Sequence, residues 1–147
     1  MTAGDDALAL HALAQEAGLR PLTLAGRTVL PVVQGGKLLC EHQLVQRKLF
    51  DMFTKVESAR ALSRAVAAYN SVTIPPLSRL GIASKVYSTQ VAFEVASDAV
   101  QLFGGYGLSK EFLIEKLFRD ARASMIEDGS NDVLALAAAR SILDNWV

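Results

Sequence analysis

The sequence predicts an all-α protein, an antiparallel four-helix-type bundle preceded by a short segment of different character. Residues 42–70 carry apolar side chains at steps of three and four, the period of an amphipathic helix. Residues 78–102 form a second apolar run rich in alanine and serine. Prolines 75–76 and the glycines of residues 104–107 separate the runs, so the connections are short, as between antiparallel neighbours in a bundle.

The N-terminal part differs from the rest of the chain. Residues 4–17 are typical of a short helix with acidic residues near its positive end. Residues 19–40 are predicted to be irregular, because helix breakers recur at short intervals: Pro21, Gly26, Pro31, Gly35 and Gly36. We therefore divide the chain into a divergent segment, residues 1–36, and a helical bundle, residues 37–147.

The two long helices are predicted from the spacing of their apolar residues. The first stripe is Val45, Leu49, Met52, Val56, Ala59, Ser63 and Val66, and the second includes Ile82, Val86, Phe93, Ala96 and Val100. A shorter helix is expected at residues 111–122, and a terminal one from about Asn131 to Trp146. Between these two lies MIEDGSND, residues 125–132, whose Asp, Ser and Asn are typical of a helix start.

Composition narrows the classes of function. Among 147 residues, Lys and Arg number 15 and Asp and Glu also 15, so no net charge attracts nucleic acid or an anionic membrane. Hydrophobic residues make up 51%, which predicts apolar surface left over for subunit contacts. No stretch reaches the roughly 18–20 apolar residues of a membrane span. The acidic N-terminus lacks the basic region of a secretory signal, so we expect a cytoplasmic protein.

Metal and thiol chemistry are not expected. Cys40 is the only cysteine, which excludes a disulfide framework and a thiolate cluster. The two histidines, His11 and His42, form no Glu-x-x-His pair of the kind found in di-iron bundles. We expect a structural role for His42, and we predict no metal site.

Three motifs in a fixed order carry a family resemblance. AVQLFGGYG at residues 99–107, EKLFRDAR at residues 115–122 and IEDGS at residues 126–130 follow one another along the chain. Together with residues 37–60, which resemble the entry to a long helix, they are similar to the C-terminal domain of the acyl-CoA dehydrogenase family. The resemblance covers about residues 36–145. It implies a FAD-dependent enzyme that introduces an α,β double bond into an acyl-CoA thioester.

The resemblance places the catalytic base at Asp128. In the family a carboxylate removes the α-proton of the substrate while the flavin accepts the β-hydride, and many members have glutamate at this position. Aspartate is shorter by about 1.5 Å, which affects how the base reaches the proton. Glu127 takes the place of a family tyrosine, and the resemblance puts it beside the substrate together with Gly129. The alternative for Asp128 is that it only caps the helix that follows.

The resemblance also implies cofactor contacts. In the family the glycine-rich turn of one protomer approaches the FAD of its neighbour, which assigns Gln101, Gly104, Gly105 and Gly107 to cofactor binding. Ser130, at the position of the family threonine, and Asp132, where the family often has a glutamine or glutamate that contacts the nucleotide side, are also assigned to cofactor binding. The alternative for Gly104 and Gly105 is a helix C-cap. The implied partners are a second copy of the chain, or another chain that supplies the N-terminal and β-domains of the family.

Two departures leave a second function open. Val32 and Gly35 stand where the family has an arginine that reaches the flavin pyrophosphate and a phenylalanine. If flavin binding has been lost, the chain is a non-catalytic helical module for oligomerisation or interaction.

Overall fold

The computed structural model describes residues 33–144 and, before them, only the backbone of residues 22–24 and 27–29. The helix predicted at residues 4–17 and the last residues of the terminal helix, 145 and 146, lie outside the described residues. The chain divides into two compact units, residues 1–49 and residues 50–147.

The first unit contains two small β-hairpins where an irregular region was predicted. Strand β1 (Leu22–Leu24) pairs antiparallel with β2 (Arg27–Val29), and β3 (Val33–Gln34) pairs with β4 (Lys37–Leu38). The second hairpin turns through Gly35 and Gly36, which have φ of 61° and 79°. Two consecutive positive φ values suit a two-residue hairpin turn, and glycine adopts them without strain.

A short 3-10 turn, Leu39–Glu41, links this hairpin to the first long helix. His42 Nε2 lies 2.9 Å from the carbonyl oxygen of Gln34, and the backbone N–H of Leu38 donates to Glu41 Oε2 at 3.0 Å. The His42 ring is thus engaged with the hairpin backbone, as a structural role requires.

Four helices follow, close to the predicted positions: α1 (Gln43–Val72), α2 (Ser78–Phe103), α3 (Leu113–Ser124) and α4 (Asn131–Leu143). A 3-10 turn, Gly104–Leu108, follows α2. None of the helices in the described part of the chain is long and apolar enough to cross a membrane.

Polar contacts show that α1 and α2 run antiparallel. Along α1, Lys55 Nζ pairs with Glu94 at 2.7 Å and Ser63 Oγ lies 3.0 Å from Ser88 Oγ. At the end of α1, the side chain of Asn70 accepts a hydrogen bond from the backbone N–H of Leu77 at 3.0 Å. Partners on the second helix therefore come earlier in the chain as α1 advances.

Helix α2 occupies the middle of the second unit, with α3 and α4 packed against it. Phe93 of α2 and Phe118 of α3 have ring centroids 5.1 Å apart, and the guanidinium carbon of Arg122 lies 5.8 Å from the Phe93 centroid. The predicted stripe of α1 is confirmed, because each of its seven residues is buried or half-buried.

The fully buried core is small. Within residues 33–144 the buried apolar side chains are Met52 and Ala59 of α1 and Val91 and Ala99 of α2. Many large apolar side chains remain exposed, among them Phe50 (64%), Phe53 (61%) and Val133 (64%). This is the apolar surface that the composition predicts.

Candidate functional site

The acidic turn, residues 125–130, joins α3 to α4. The backbone N–H of Ile126 donates to the Ala123 carbonyl at 2.8 Å, which continues the end of α3. The backbone N–H of Asn131 donates back to the Met125 carbonyl at 3.0 Å. The two ends of the turn are therefore tied together, and the segment between them is a closed loop.

Asp128 has an unusual backbone conformation within this turn. Its φ is 55°, and it is the only non-glycine residue with positive φ among residues 33–144. Gly129 follows with φ of 98°, and a Cβ built on it would lie 3.2 Å from the Leu134 side chain. Aspartate is one of the few residues that tolerate the left-handed region. Such conformations cluster at functional sites, where the surrounding structure holds them in place.

The Asp128 side chain is exposed. The described residues show no hydrogen bond or ion pair to its carboxylate. The N-cap of α4 is Ser130, whose Oγ accepts from the backbone N–H of Val133 at 3.4 Å. Capping therefore falls to Ser130, and the carboxylate of Asp128 is left available for another role.

Three side chains that sequence reasoning missed hold the acidic turn against α2. Lys85 Nζ donates to the carbonyl oxygen of Gly129 at 2.9 Å and to Asn131 Oδ1 at 2.8 Å. Asn131 Nδ2 donates to Thr89 Oγ1 at 2.9 Å, and Thr89 Oγ1 donates to the Lys85 carbonyl at 2.9 Å. We call Lys85, Thr89 and Asn131 the clamp. The sequence offers only a weak indication of this contact, namely that Lys85 and Thr89 are four residues apart and therefore lie on the same face of α2.

The other predicted site residues around the acidic turn differ in their exposure to solvent. Glu127 is exposed on the turn, and Asp132 is exposed in the first turn of α4, where the positive end of the helix dipole favours a carboxylate. Ser130 is half-buried and keeps its hydroxyl hydrogen available for a donated bond while it caps α4.

The glycine-rich turn, residues 104–108, has two glycines with structural explanations. Gly104 ends α2 with φ of 57°, and its N–H donates to the Gln101 carbonyl, as the C-cap alternative expects. Gly107 is buried, and a Cβ there would lie 2.6 Å from the Val100 carbonyl oxygen. Gly105 is exposed, and nothing lies within 4 Å of a Cβ built on it. Gly105 therefore offers open backbone to an approaching group.

The structure does not bring the acidic turn and the glycine-rich turn together. Lys85 contacts the acidic turn near the start of α2, whereas Gly104 follows Phe103 at its end. At about 1.5 Å per residue the two places are roughly 27 Å apart along the helix. Two parts of one chain at this separation face different regions of any bound molecule, or different molecules.

A shallow open groove of about 380 Å³ lies between α1 and α2, lined by residues that include Ala59, Ser63, Ser88 and Val91. It contains neither turn. The described residues hold no cluster of three or more His, Cys, Asp or Glu that could bind a metal ion.

Comparison with known proteins gives a consistent result. A family model described as "Acyl-CoA dehydrogenase, C-terminal domain" matches residues 9–143. The match begins inside the segment predicted to be divergent, so the division at residue 36 stays a prediction. Cyclohexane-1-carbonyl-CoA dehydrogenase of Geobacter metallireducens is 38% identical over 109 residues, which are 74% of this chain and 28% of that protein. The short-chain specific acyl-CoA dehydrogenase of Megasphaera elsdenii is 38% identical over 111 residues, 76% of this chain and 29% of that protein.

Solved structures extend the comparison. Butyryl-CoA dehydrogenase from Megasphaera elsdenii superposes with a TM-score of 0.71 at 35% identity, covering 76% of this chain and 29% of that one. An acyl-CoA dehydrogenase from Geobacillus kaustophilus has a TM-score of 0.71 at 26% identity, covering 92% of this chain and 33% of that one. The chain thus spans about a third or less of the length of these relatives.

Proposed function

Because the chain belongs to the acyl-CoA dehydrogenase family, as its C-terminal domain, we propose that it forms one wall of a site where an acyl-CoA thioester is desaturated between its α- and β-carbons. The chain spans only 28% of the length of its relative in Geobacter metallireducens, so the rest of this site lies outside these 147 residues. The observation that carries the proposal is Asp128, a carboxylate with no partner among the described residues, held in a left-handed conformation on a closed turn.

Asp128 acts as the base that removes the α-proton. The thioester carbonyl acidifies this proton, and a carboxylate can accept it once the reacting atoms are within hydrogen-bond reach. The electron pair of the broken C–H bond becomes part of the new double bond as a hydride leaves the β-carbon. The α-proton ends on an Asp128 carboxylate oxygen. Glu127 and Gly129 border this carboxylate and contact the substrate.

FAD supplies the acceptor for the β-hydride when it is bound. Gln101, Gly104 and Gly105 fit this cofactor, because the amide side chain of Gln101 and both glycines are exposed. Gly105 leaves room for a cofactor atom to approach the backbone closely. Gly107 is buried against Val100 and has a structural role in the turn. The Asp132 carboxylate suits ribose hydroxyls better than phosphates, since like charges repel.

The separation of the two turns supports an assembly of more than one chain. One chain contributes Asp128 to a site, and the glycine-rich turn, roughly 27 Å away along α2, contacts the cofactor of a neighbouring site. The exposed apolar side chains of α1 and α4 provide surface for such contacts. The partner is a second copy of this chain or a chain that carries the N-terminal and β-domains.

The test is reconstitution with those domains. The chain is co-expressed with polypeptides that encode the N-terminal and β-domains, and the complex is examined for flavin absorbance and its bleaching by saturated acyl-CoA. We expect bleaching with formation of enoyl-CoA, and a rate about 10²–10⁴-fold lower in Asp128→Asn. Asparagine also tolerates the left-handed region, so this change removes the charge and keeps the turn. Full activity in Asp128→Asn would refute the assignment of the base.

A non-catalytic oligomerisation module is the second candidate. It is favoured by the small buried core and the many exposed apolar side chains, together with Gly35 in a tight hairpin turn where the family has a phenylalanine. A complex that stays colourless with added FAD but forms a stable oligomer supports this candidate over the enzyme.

A further inference from the structure

The contacts of the acidic turn point to a role for Lys85, which lies on a different helix from the predicted base. Lys85 Nζ bonds the carbonyl of Gly129, the residue directly after Asp128, at 2.9 Å. A second bond, 2.8 Å long, goes to Asn131 Oδ1 at the start of α4. Both distances are typical of charge-assisted hydrogen bonds. One ammonium group therefore holds both the turn and the helix that follows it.

Lys85 holds a conformation that few residues other than glycine, asparagine and aspartate adopt. Asp128 and Gly129 have consecutive positive φ values of 55° and 98°. Left-handed conformations of non-glycine residues persist only where surrounding contacts determine them. The Gly129 carbonyl is part of the peptide group between Gly129 and Ser130, directly after the two residues with positive φ. Its hydrogen bond from Lys85 on α2 therefore fixes the orientation of this peptide group.

The clamp ties the turn to a rigid element. Asn131 is held at both ends of its amide, since Nδ2 donates to Thr89 Oγ1 at 2.9 Å while Oδ1 accepts from Lys85. Thr89 is in turn bonded to the Lys85 carbonyl within α2. Because α2 also carries the glycine-rich turn, one helix sets the places of both groups assigned to the reaction.

We propose that Lys85 is a positioning residue for Asp128: it fixes the acidic turn against α2 so that the carboxylate meets the α-proton. The proposal rests on the proposed function, in which Asp128 is the base. The aspartate side chain is short, so a shift of its backbone moves the carboxylate away from the α-proton with little possibility of compensation by the side chain. A displacement of about 1 Å can lower the rate about 100-fold. Lys85 itself contacts neither substrate nor cofactor in this account.

The test compares Lys85→Met with Lys110→Met in the flavin-containing complex. Methionine keeps the length of the lysine stem and removes the donors, and Lys110 is an exposed lysine outside the clamp. For Lys85→Met we expect the rate constant of flavin reduction, per bound flavin, to fall about tenfold or more while the Kd of acyl-CoA stays within about twofold. The α-deuterium isotope effect should rise. Lys110→Met should match the unchanged protein.

Amide hydrogen exchange gives a readout that does not depend on activity. In Lys85→Met the amides of Gly129 and Asn131 should exchange about tenfold faster or more, because the turn opens locally. Lys85→Arg, which retains donors, should restore both slow exchange and most of the rate. If Lys85→Met instead merely lowers flavin content and leaves the rate per flavin unchanged, Lys85 is structural and the inference is overturned.

The two failures are distinguishable. If Asp128→Asn abolishes flavin reduction while Lys85→Met changes neither rate nor exchange, the proposed function stands and the Lys85 inference fails. If Lys85→Met accelerates exchange while Asp128→Asn keeps full activity, the base assignment fails, and Lys85 is then only a clamp for a turn. A drop in both rates, with faster exchange in Lys85→Met alone, supports both.

Discussion

A Cβ on Gly107 would lie 2.6 Å from the carbonyl oxygen of Val100, closer than side chains approach backbone in proteins. The glycine-rich turn thus folds back directly onto the last turns of α2. Gly107→Ala should therefore destabilise the protein by about 1–3 kcal/mol, the usual cost of overpacking. Urea unfolding followed by circular dichroism measures this change.

Gly105→Ala is the matched control, because the space around that position is open. It should change the unfolding free energy by about 0.5 kcal/mol or less. In the reconstituted complex, however, Gly105→Ala should weaken FAD binding, which fluorescence titration detects. Equal destabilisation by the two substitutions would contradict this account of the turn.

The positive φ of Asp128 predicts that glycine at this position is tolerated better than valine, as measured by the free energy of unfolding. Asp128→Gly should leave the unfolding free energy unchanged or raise it slightly, since glycine adopts φ of 55° freely. Asp128→Val should lower it by about 1–2 kcal/mol, because a β-branched residue is strained there. Thermal unfolding of the two variants beside the parent tests this order, and a more stable valine variant would disprove the left-handed assignment.

Ser130 is expected to contribute through its N-cap bond to Val133. Ser130→Ala should cost about 0.5–1 kcal/mol, the lower part of the usual range, because the bond is long at 3.4 Å. Ser130→Asp should retain the cap. Amide exchange at Val133 locates the effect, and unchanged exchange at that amide in Ser130→Ala would show that the hydroxyl does not cap α4.

The pair of Lys55 and Glu94 predicts a pH dependence. The hydrogen bond from Lys55, with a second from Gln90, lowers the pKa of Glu94, while the same bond to Glu94 raises the pKa of Lys55. The stability from the lowered carboxyl pKa is complete above the ordinary glutamate value, about 4.3, and is lost as pH falls through the folded value. The lysine contribution is complete below about 10.4 and is lost as pH rises through its raised value.

Glu94→Gln should therefore destabilise the protein over a plateau from about pH 5 to about pH 10. Both side chains are more than a third exposed, so the effect should be only about 0.2–1 kcal/mol. Urea unfolding at pH 7 and pH 3 measures it. A difference between parent and variant that persists undiminished at pH 3 would count against the ion pair.

The positions of the helices were predicted well, because apolar spacing and the residues that start and end a helix are read from neighbouring positions in the sequence. The prolines before Ser78 and the polar residues before Asn131 mark helix starts that the structure places at the same residues. The hairpin at Gly35 and Gly36 was missed because the same glycines that break a helix also form a two-residue turn. The family resemblance and the all-α bundle are confirmed.

The site was harder to predict, because its geometry depends on contacts far apart in the chain. The bond from Lys85 to Gly129, 44 residues away, leaves no local pattern in the sequence. The consecutive positive φ values of Asp128 and Gly129 have a local signal, since Asp-Gly is a dipeptide favoured in such turns. The need for glycine at position 107 is also set by packing, because a Cβ there would lie 2.6 Å from the Val100 carbonyl oxygen. The assigned roles of Asp128, Glu127 and Gln101 remain predictions.

The most direct test of the account is exchange of the acyl-CoA α-proton with solvent in D2O, measured by mass spectrometry on the reconstituted complex. Base action by Asp128 predicts rapid deuterium incorporation at the α-carbon that falls about 10²–10⁴-fold in Asp128→Asn, with flavin content unchanged. Incorporation at the same rate in both proteins would contradict the account.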